Sequence, residues 1–203
     1  MIITISRENG SGGRYIAERL SEKLGIPLYD KEVVEEAALA GKLDLEEAVN
    51  NDEMSSDSYM EGKSLYKGFF SKVTLDDELF ELESKVIKEI AKRGDGIIIG
   101  RCSNYILEDE ETIDVFLFAN DLGFRIARKV EYNGLDRKTA EKQIKEKDRS
   151  RAVYQEYHTG RSWGNKEYYD LCMDTEKIGM ETAVDMIALY YKRKKGLVED
   201  AEK

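Results

Sequence analysis

The chain has 203 residues, of which 41% are hydrophobic and 36% charged, with a formal net charge of −10. That length suits one domain with a single core, and the acidic balance argues against a broad nucleic-acid or membrane-surface role, since both need a basic face. A local basic cleft for a small phosphorylated ligand stays compatible with it.

The opening MIITIS is a β-branched run with neither the basic flank nor the long apolar stretch of a secretion signal. Residues 2–5 are expected to form a strand buried on both faces. The glycine-rich NGSGGR follows, and then YIAERLSEKLG, whose Ile16, Ala17, Leu20 and Leu24 recur at helical spacing up to a stop at Gly25. The only proline, Pro27, opens the short strand PLYD, and KEVVEEAALAGK is a second helix. Residues 44–61 carry seven acidic side chains and no Lys or Arg, which reads as a mobile loop or loosely packed insertion. A helix is expected from an N-cap at Thr74 to its basic end at Lys92, Arg93 and Gly94. Strands follow at 96–100 and 113–119. A charged helical region over 122–157 is broken near Asn133 and Gly134. A last strand at 169–175 leads to an amphipathic terminal helix.

Strands alternating with helices imply a mostly parallel sheet covered on both faces, with ligands at the C-terminal ends of its strands. Arg7, Asp30, Arg101 and Asn120 all fall just after expected strands and should gather on that edge. Cys102 and Cys172 have no metal-ligand spacing and read as small, reduced core residues near strands.

A strand, a run of glycines and a helix start form a device for holding anions. Glycine lets the backbone approach a phosphate, and the first helical amides and the helix dipole favour negative charge. The usual phosphate-loop pattern is GxxxxGK[ST], in which the lysine reaches the terminal phosphates and the hydroxyl holds magnesium. With Gly10, Ser11 and Gly12 laid on that pattern, Gly13 stands at the lysine, Arg14 at the hydroxyl position, and Arg7 where the pattern begins with glycine. Arg14 is the first candidate to replace the lysine. Arg7 is the second, because its side chain could fold over the loop.

The stretch ITISRENGSGGRYIAERLSEKLGIPLYD resembles the opening of the cytidylate kinase-like family. The likeness continues in GIIIGRCSNYIL, in IKEKDRSRAV and in YDLCMDTEKIGMETAVDMI. It implies an α/β, P-loop NTPase-like three-layer fold of about five mostly parallel strands in one domain, 1–203. Residues 36–75 would be a mobile acceptor-side insertion, and 122–160 a charged, lid-like helical region. It also implies a cytoplasmic phosphotransferase that moves the γ-phosphoryl group of ATP, with Mg2+, to a nucleoside monophosphate or similar small phosphorylated acceptor, without nucleic-acid or membrane partners.

By the same resemblance, Arg7, Gly10, Ser11, Gly12, Gly13, Arg14 and Tyr15 would surround the donor phosphates. Asp30 would lie near the acceptor phosphate and the metal, unless it serves as a helix N-cap. Arg101 would bind the acceptor phosphate, with Ser103 and Asn104 adding polar contacts. Arg149 and Arg151, beside Asp148, would clamp the substrates from a helix end or loop, because a two-residue spacing separates them on a regular helix. Arg125 and Arg128 would line the base of the lid. Tyr15 is a poor magnesium ligand, so Ser11, or phosphates and water alone, would hold the metal. The only histidine, His158, reads as a packing residue, while Tyr157, Arg161 and Trp163 either stack on a base or fill a corner. The missing lysine and hydroxyl leave a second reading open, a non-catalytic nucleotide- or anion-binding protein.

Overall fold

The computed structural model describes residues 1–42 and 67–198. The run IITISR forms strand β1 (Ile2–Arg7), two residues longer than expected, so that Arg7 is the last residue of the strand itself. After the glycine-rich turn come helix α1 (Gly13–Leu24), strand β2 (Leu28–Tyr29) and helix α2 (Lys31–Gly41). The chain continues through helix α3 (Lys67–Arg93), strand β3 (Gly96–Ile99), the one-turn α4 (Ser103–Ile106) and strand β4 (Thr112–Phe118). Helices α5 (Leu122–Asn133) and α6 (Arg137–Thr159) are separated where expected, with Gly134 left-handed at the end of α5. A 3-10 turn (Lys166–Tyr168), strand β5 (Leu171–Asp174), the short α7 (Thr175–Ile178) and α8 (Met180–Lys194) complete the described chain.

The five strands pair only in parallel, in the order β2-β3-β1-β4-β5. Alternating side chains feed two cores, as the two-residue period of a strand requires. Ile3, Ile5, Ile97, Ile99, Ile113, Val115 and Leu117 pack with α1 and α8 on one face. Ile2 and Ile98 pack with Val33, Val34, Ile87 and Ile90 of α2 and α3 on the other. This is the expected three-layer α/β fold. Helices α5 and α6 share a small core of their own, Ile126, Ala140 and Ile144.

Several local expectations are corrected. Thr74 lies inside α3 rather than at its start. Arg149 and Arg151 sit within the continuous helix α6, not at a helix end or in a loop. Cys102 is buried as expected, but Cys172 is exposed, because β5 is an edge strand. The acidic segment 44–61 lies outside the described residues. Among the described residues no helix is long and apolar enough to cross a membrane.

Candidate functional site

In this strand order the chain runs from β1 out to β2 and back to β3 on one side, then to β4 and β5 on the other. The connections therefore diverge at the C-terminal end of β1, where open parallel sheets bind ligands. The glycine-rich turn occupies that point. Gly12 caps α1 in a left-handed conformation (φ 88°) with no side-chain cap, and the first turn of the helix contains no acid. The first helical hydrogen bond recorded across the junction is Ile16 N–H to the Gly12 carbonyl, at 3.0 Å. The amides of Gly10, Gly12, Gly13, Arg14 and Tyr15 have no acceptor among the described residues. A row of unpaired N–H groups at the positive end of a helix dipole is a ready anion cradle.

The turn is held from below. The buried Ser11 donates its hydroxyl to the Glu8 carbonyl (2.9 Å), and the buried Thr175 hydroxyl lies 2.7 Å from the Ser11 carbonyl and 3.1 Å from that of Phe118. Asn9 N–H donates to Asp148 Oδ1 at 2.6 Å, and Arg125 Nη1 lies 2.5 Å from Asp148 Oδ2 and 3.3 Å from Glu8 Oε2. Burial raises the Glu8 carboxyl above the usual range, against the lowering effect of the Ala119 amide and Arg125. Arg125 thus braces the loop instead of lining a lid. The Ser11 hydroxyl is turned into the loop, where it donates to the Glu8 carbonyl. Tyr15 points outward, its hydroxyl donating to Glu181 Oε1 at 2.7 Å.

Around the amides the structure gathers four of the expected arginines and Asp30. Burial lowers the Arg7 pKa, and the nearby Arg151, Arg101 and Arg14 lower it further, while Asp30 opposes them. Asp30 stands at the N-cap position of α2 but makes no capping bond, and its Oδ2 lies 3.7 Å from Arg14 Nη1. Arg14 is 65% exposed and also pairs with Glu18 at 3.0 Å along its own helix. Arg151 Nη1 donates to the Arg7 carbonyl at 2.9 Å. Arg101 follows β3 with a positive φ of 59°. Its guanidinium reaches Glu83 Oε1 at 2.9 Å, and Tyr154 donates to the other Glu83 oxygen at 3.1 Å. Burial lowers the Arg101 pKa as well.

Other expected residues stand apart from this group. Arg149 is exposed on a different face of α6 from Arg151. Arg128 is the exception: its guanidinium lies over Tyr132, 4.8 Å from the ring centre, and its Nη2 lies 3.5 Å from where a Cβ on Gly12 would stand, beside the loop. Ser103 and Asn104 are buried, and Asn104 Nδ2 lies 3.4 Å from the Tyr168 carbonyl. His158 stacks on Phe80 at 4.1 Å and meets Tyr154 edge-on. Trp163 packs edge-on against Phe116, Arg161 lies between the rings of Tyr105 and Tyr168, and the Tyr157 hydroxyl reaches Asp77 at 3.3 Å.

Glu83 is the residue that sequence reasoning missed. Its signal is positional: among the residues of α3 whose burial is described, Leu79, Val86, Ile87 and Ile90 are the buried apolar ones, and Glu83 falls on the same stripe, with no exposure at all.

For a metal, the donor set at the mouth is sparse. Among the described residues no group of three or more His, Cys, Asp or Glu side chains is placed to hold one. Asp30 is the carboxylate of the group that borders the loop. That fits magnesium, which commonly takes one or two protein carboxylates and fills its shell with phosphate oxygens and water.

Comparison with known proteins gives the family and the fold. Residues 2–177 match the model of the cytidylate kinase-like family. A cytidylate kinase of Methanopyrus kandleri is 27% identical over 188 residues, covering 87% of this chain and 86% of the relative. Among solved structures, an uncharacterized protein from Eubacterium ventriosum is 30% identical with a TM-score of 0.71, covering 94% of this chain and 97% of the other. A shikimate kinase from Acinetobacter baumannii, solved with shikimate, shares the fold at 14% identity and a TM-score of 0.51, covering 96% and 94%.

Proposed function

The chain belongs to the cytidylate kinase-like family, and from that premise we propose that it is an ATP-dependent phosphotransferase acting on a nucleoside monophosphate or a similar small phosphorylated acceptor. One observation carries the reading. In a chain of net charge −10, Arg7, Arg14, Arg101 and Arg151 converge on a loop whose amides have no acceptor among the described residues. Arg14 and Arg101 have carboxylate partners in Glu18 and Glu83, but Arg7 has none within 4 Å among the described residues, and a buried guanidinium beside like charges is unfavourable unless an anion joins it.

The chemistry needs placement more than covalent help. An acceptor oxygen attacks the γ-phosphorus in line, the bond to the bridging oxygen breaks, and ADP leaves with that oxygen's electrons. The loop amides hold the donor phosphates. The arginines stabilise charge on the equatorial oxygens and orient the acceptor. A phosphate acceptor is already anionic near neutral pH, so the transfer requires no general base, in keeping with the packing role of His158. Magnesium, arriving with the triphosphate, would neutralise part of the phosphate charge, with Asp30 as its neighbour in the protein. A cytoplasmic location accords with the reduced thiols.

A second reading, binding without transfer, is favoured by the glycine at position 13, the inward Ser11 hydroxyl and the outward Tyr15. ADP release from ATP and Mg2+ against a panel of nucleoside monophosphates separates the two. Release that depends on one acceptor is expected. ATP binding without acceptor-dependent release from any member would favour the second reading.

A further inference from the structure

The arginine that ends β1 and the glycine that begins α1 share one space. A Cβ on Gly13 would lie 2.7 Å from both Cβ and Cγ of Arg7, closer than real Cβ contacts come. These atoms are the fixed root of the arginine, not its flexible end. Gly13 does not have a positive φ, so its lack of a side chain answers a demand for room and not for conformation. Further along, Arg7 Nη1 lies 2.3 Å from where a Cβ on Gly100 would stand. The side chain therefore runs from the end of β1, across the first residue of α1, to the turn after β3.

In the usual phosphate-loop pattern these two positions are reversed. Glycine stands where Arg7 is, and lysine where Gly13 is. We infer that Arg7 is the phosphate-binding cation of this loop, a transposed replacement for the lysine, and that Gly13 is glycine because the arginine stem fills the space a side chain there would enter. The inference rests on the triphosphate reading above and names the residue that carries its charge.

The surroundings single out Arg7 over Arg14. Arg14 points to solvent and is paired with Glu18, and Arg101 is paired with Glu83. Among the described residues the Arg7 guanidinium has no carboxylate within 4 Å and no hydrogen-bond acceptor, although it sits amid three other arginines. Its forked donors suit two oxygens of one phosphate or of adjacent phosphates.

The test is calorimetric titration of ATP with Mg2+ into the full chain, with folding checked by circular dichroism. The variants are Arg7→Ala, Arg7→Gln, Gly13→Lys and the double variant Arg7→Gly/Gly13→Lys. Arg7→Ala and Arg7→Gln are expected to weaken binding by about 10- to 100-fold, as for a hydrogen bond to a charged group. Should the alanine variant fail to fold, the longer glutamine decides the point. Gly13→Lys alone should also bind poorly, and the double variant should recover affinity, because the lysine then enters a vacated space. Unchanged affinity in Arg7→Gln, with wild-type protein that binds, overturns this inference and leaves the triphosphate reading standing. A double variant no better than Gly13→Lys overturns the shared-space exchange. A folded wild-type protein that does not bind ATP overturns both.

Discussion

Glu83 holds Arg101 at 2.9 Å from the middle of α3, and the glutamate has no exposure to solvent. An ion pair so deeply set is costly to break from one side, because the remaining charge stays in the protein without its counter-ion. Glu83→Ala is expected to lower stability by about 3–5 kcal/mol in chemical denaturation. The double replacement Glu83→Leu/Arg101→Leu should lose much less. A double variant as unstable as Glu83→Ala would contradict this account of the pair.

The loop is tied to α6 through Asp148, which accepts from the Asn9 amide at 2.6 Å and from Arg125 at 2.5 Å. Asp148→Ala should destabilise the fold by about 1–3 kcal/mol, the cost of leaving partly buried donors unpaired. It should also speed hydrogen exchange at the Asn9 amide specifically. Unchanged exchange there would mean that this contact does not hold the loop.

Asp114 gives a pH signature. It accepts from Thr4 at 2.6 Å and Thr112 at 3.1 Å, but burial outweighs these bonds and raises its carboxyl above the ordinary value. A raised folded-state pKa means that the folded protein binds the proton more tightly. The associated stabilisation is complete below the unfolded value of about 3.9 and is lost as pH rises through the folded value. Relative to wild type, Asp114→Asn should therefore gain stability as pH rises through that window. A stability difference constant with pH would refute it.

The two thiols should behave differently. A water-soluble thiol reagent is expected to modify exposed Cys172 in the native protein, slowly at neutral pH because partial burial raises its pKa, and to leave buried Cys102 intact until unfolding. Mass-spectrometric mapping that finds Cys102 labelled first would contradict the placement of β5 and α4.

The sheet was legible in advance because its strands are short β-branched runs such as IITIS and GIII, buried on both faces and bounded by glycine. Arg7, Asp30 and Arg101 meet near the loop as their places after strands in a parallel sheet suggest, whereas Asn120, expected with them, donates to Asp174 at the end of β5 at 2.9 Å. What the sequence obscured depends on side-chain direction. Arg14 and Arg7 are both candidates in the sequence to replace the lysine, and the path of Arg7 over Gly13, with the pairing of Arg14 to Glu18, separates them. Glu83 reads as one more charge in ELESK until its place on the apolar stripe is counted. Arg149 and Arg151 looked like a loop pair because the part of α6 past residue 149 is held by contacts distant in sequence, Arg151 on the Arg7 carbonyl, Tyr154 on Glu83 and His158 on Phe80 of α3, and not by any local signal. Cys172 looked like core because an edge strand and a central one share the same residue types.

The most direct test of the central claim is calorimetric titration of ATP with Mg2+ into the folded wild-type chain at low and high salt. The account expects saturable binding at one site, weaker at high salt because the contacts are between phosphates and arginines. Absence of binding at either salt concentration would contradict the assignment of this loop and its arginines as a triphosphate site.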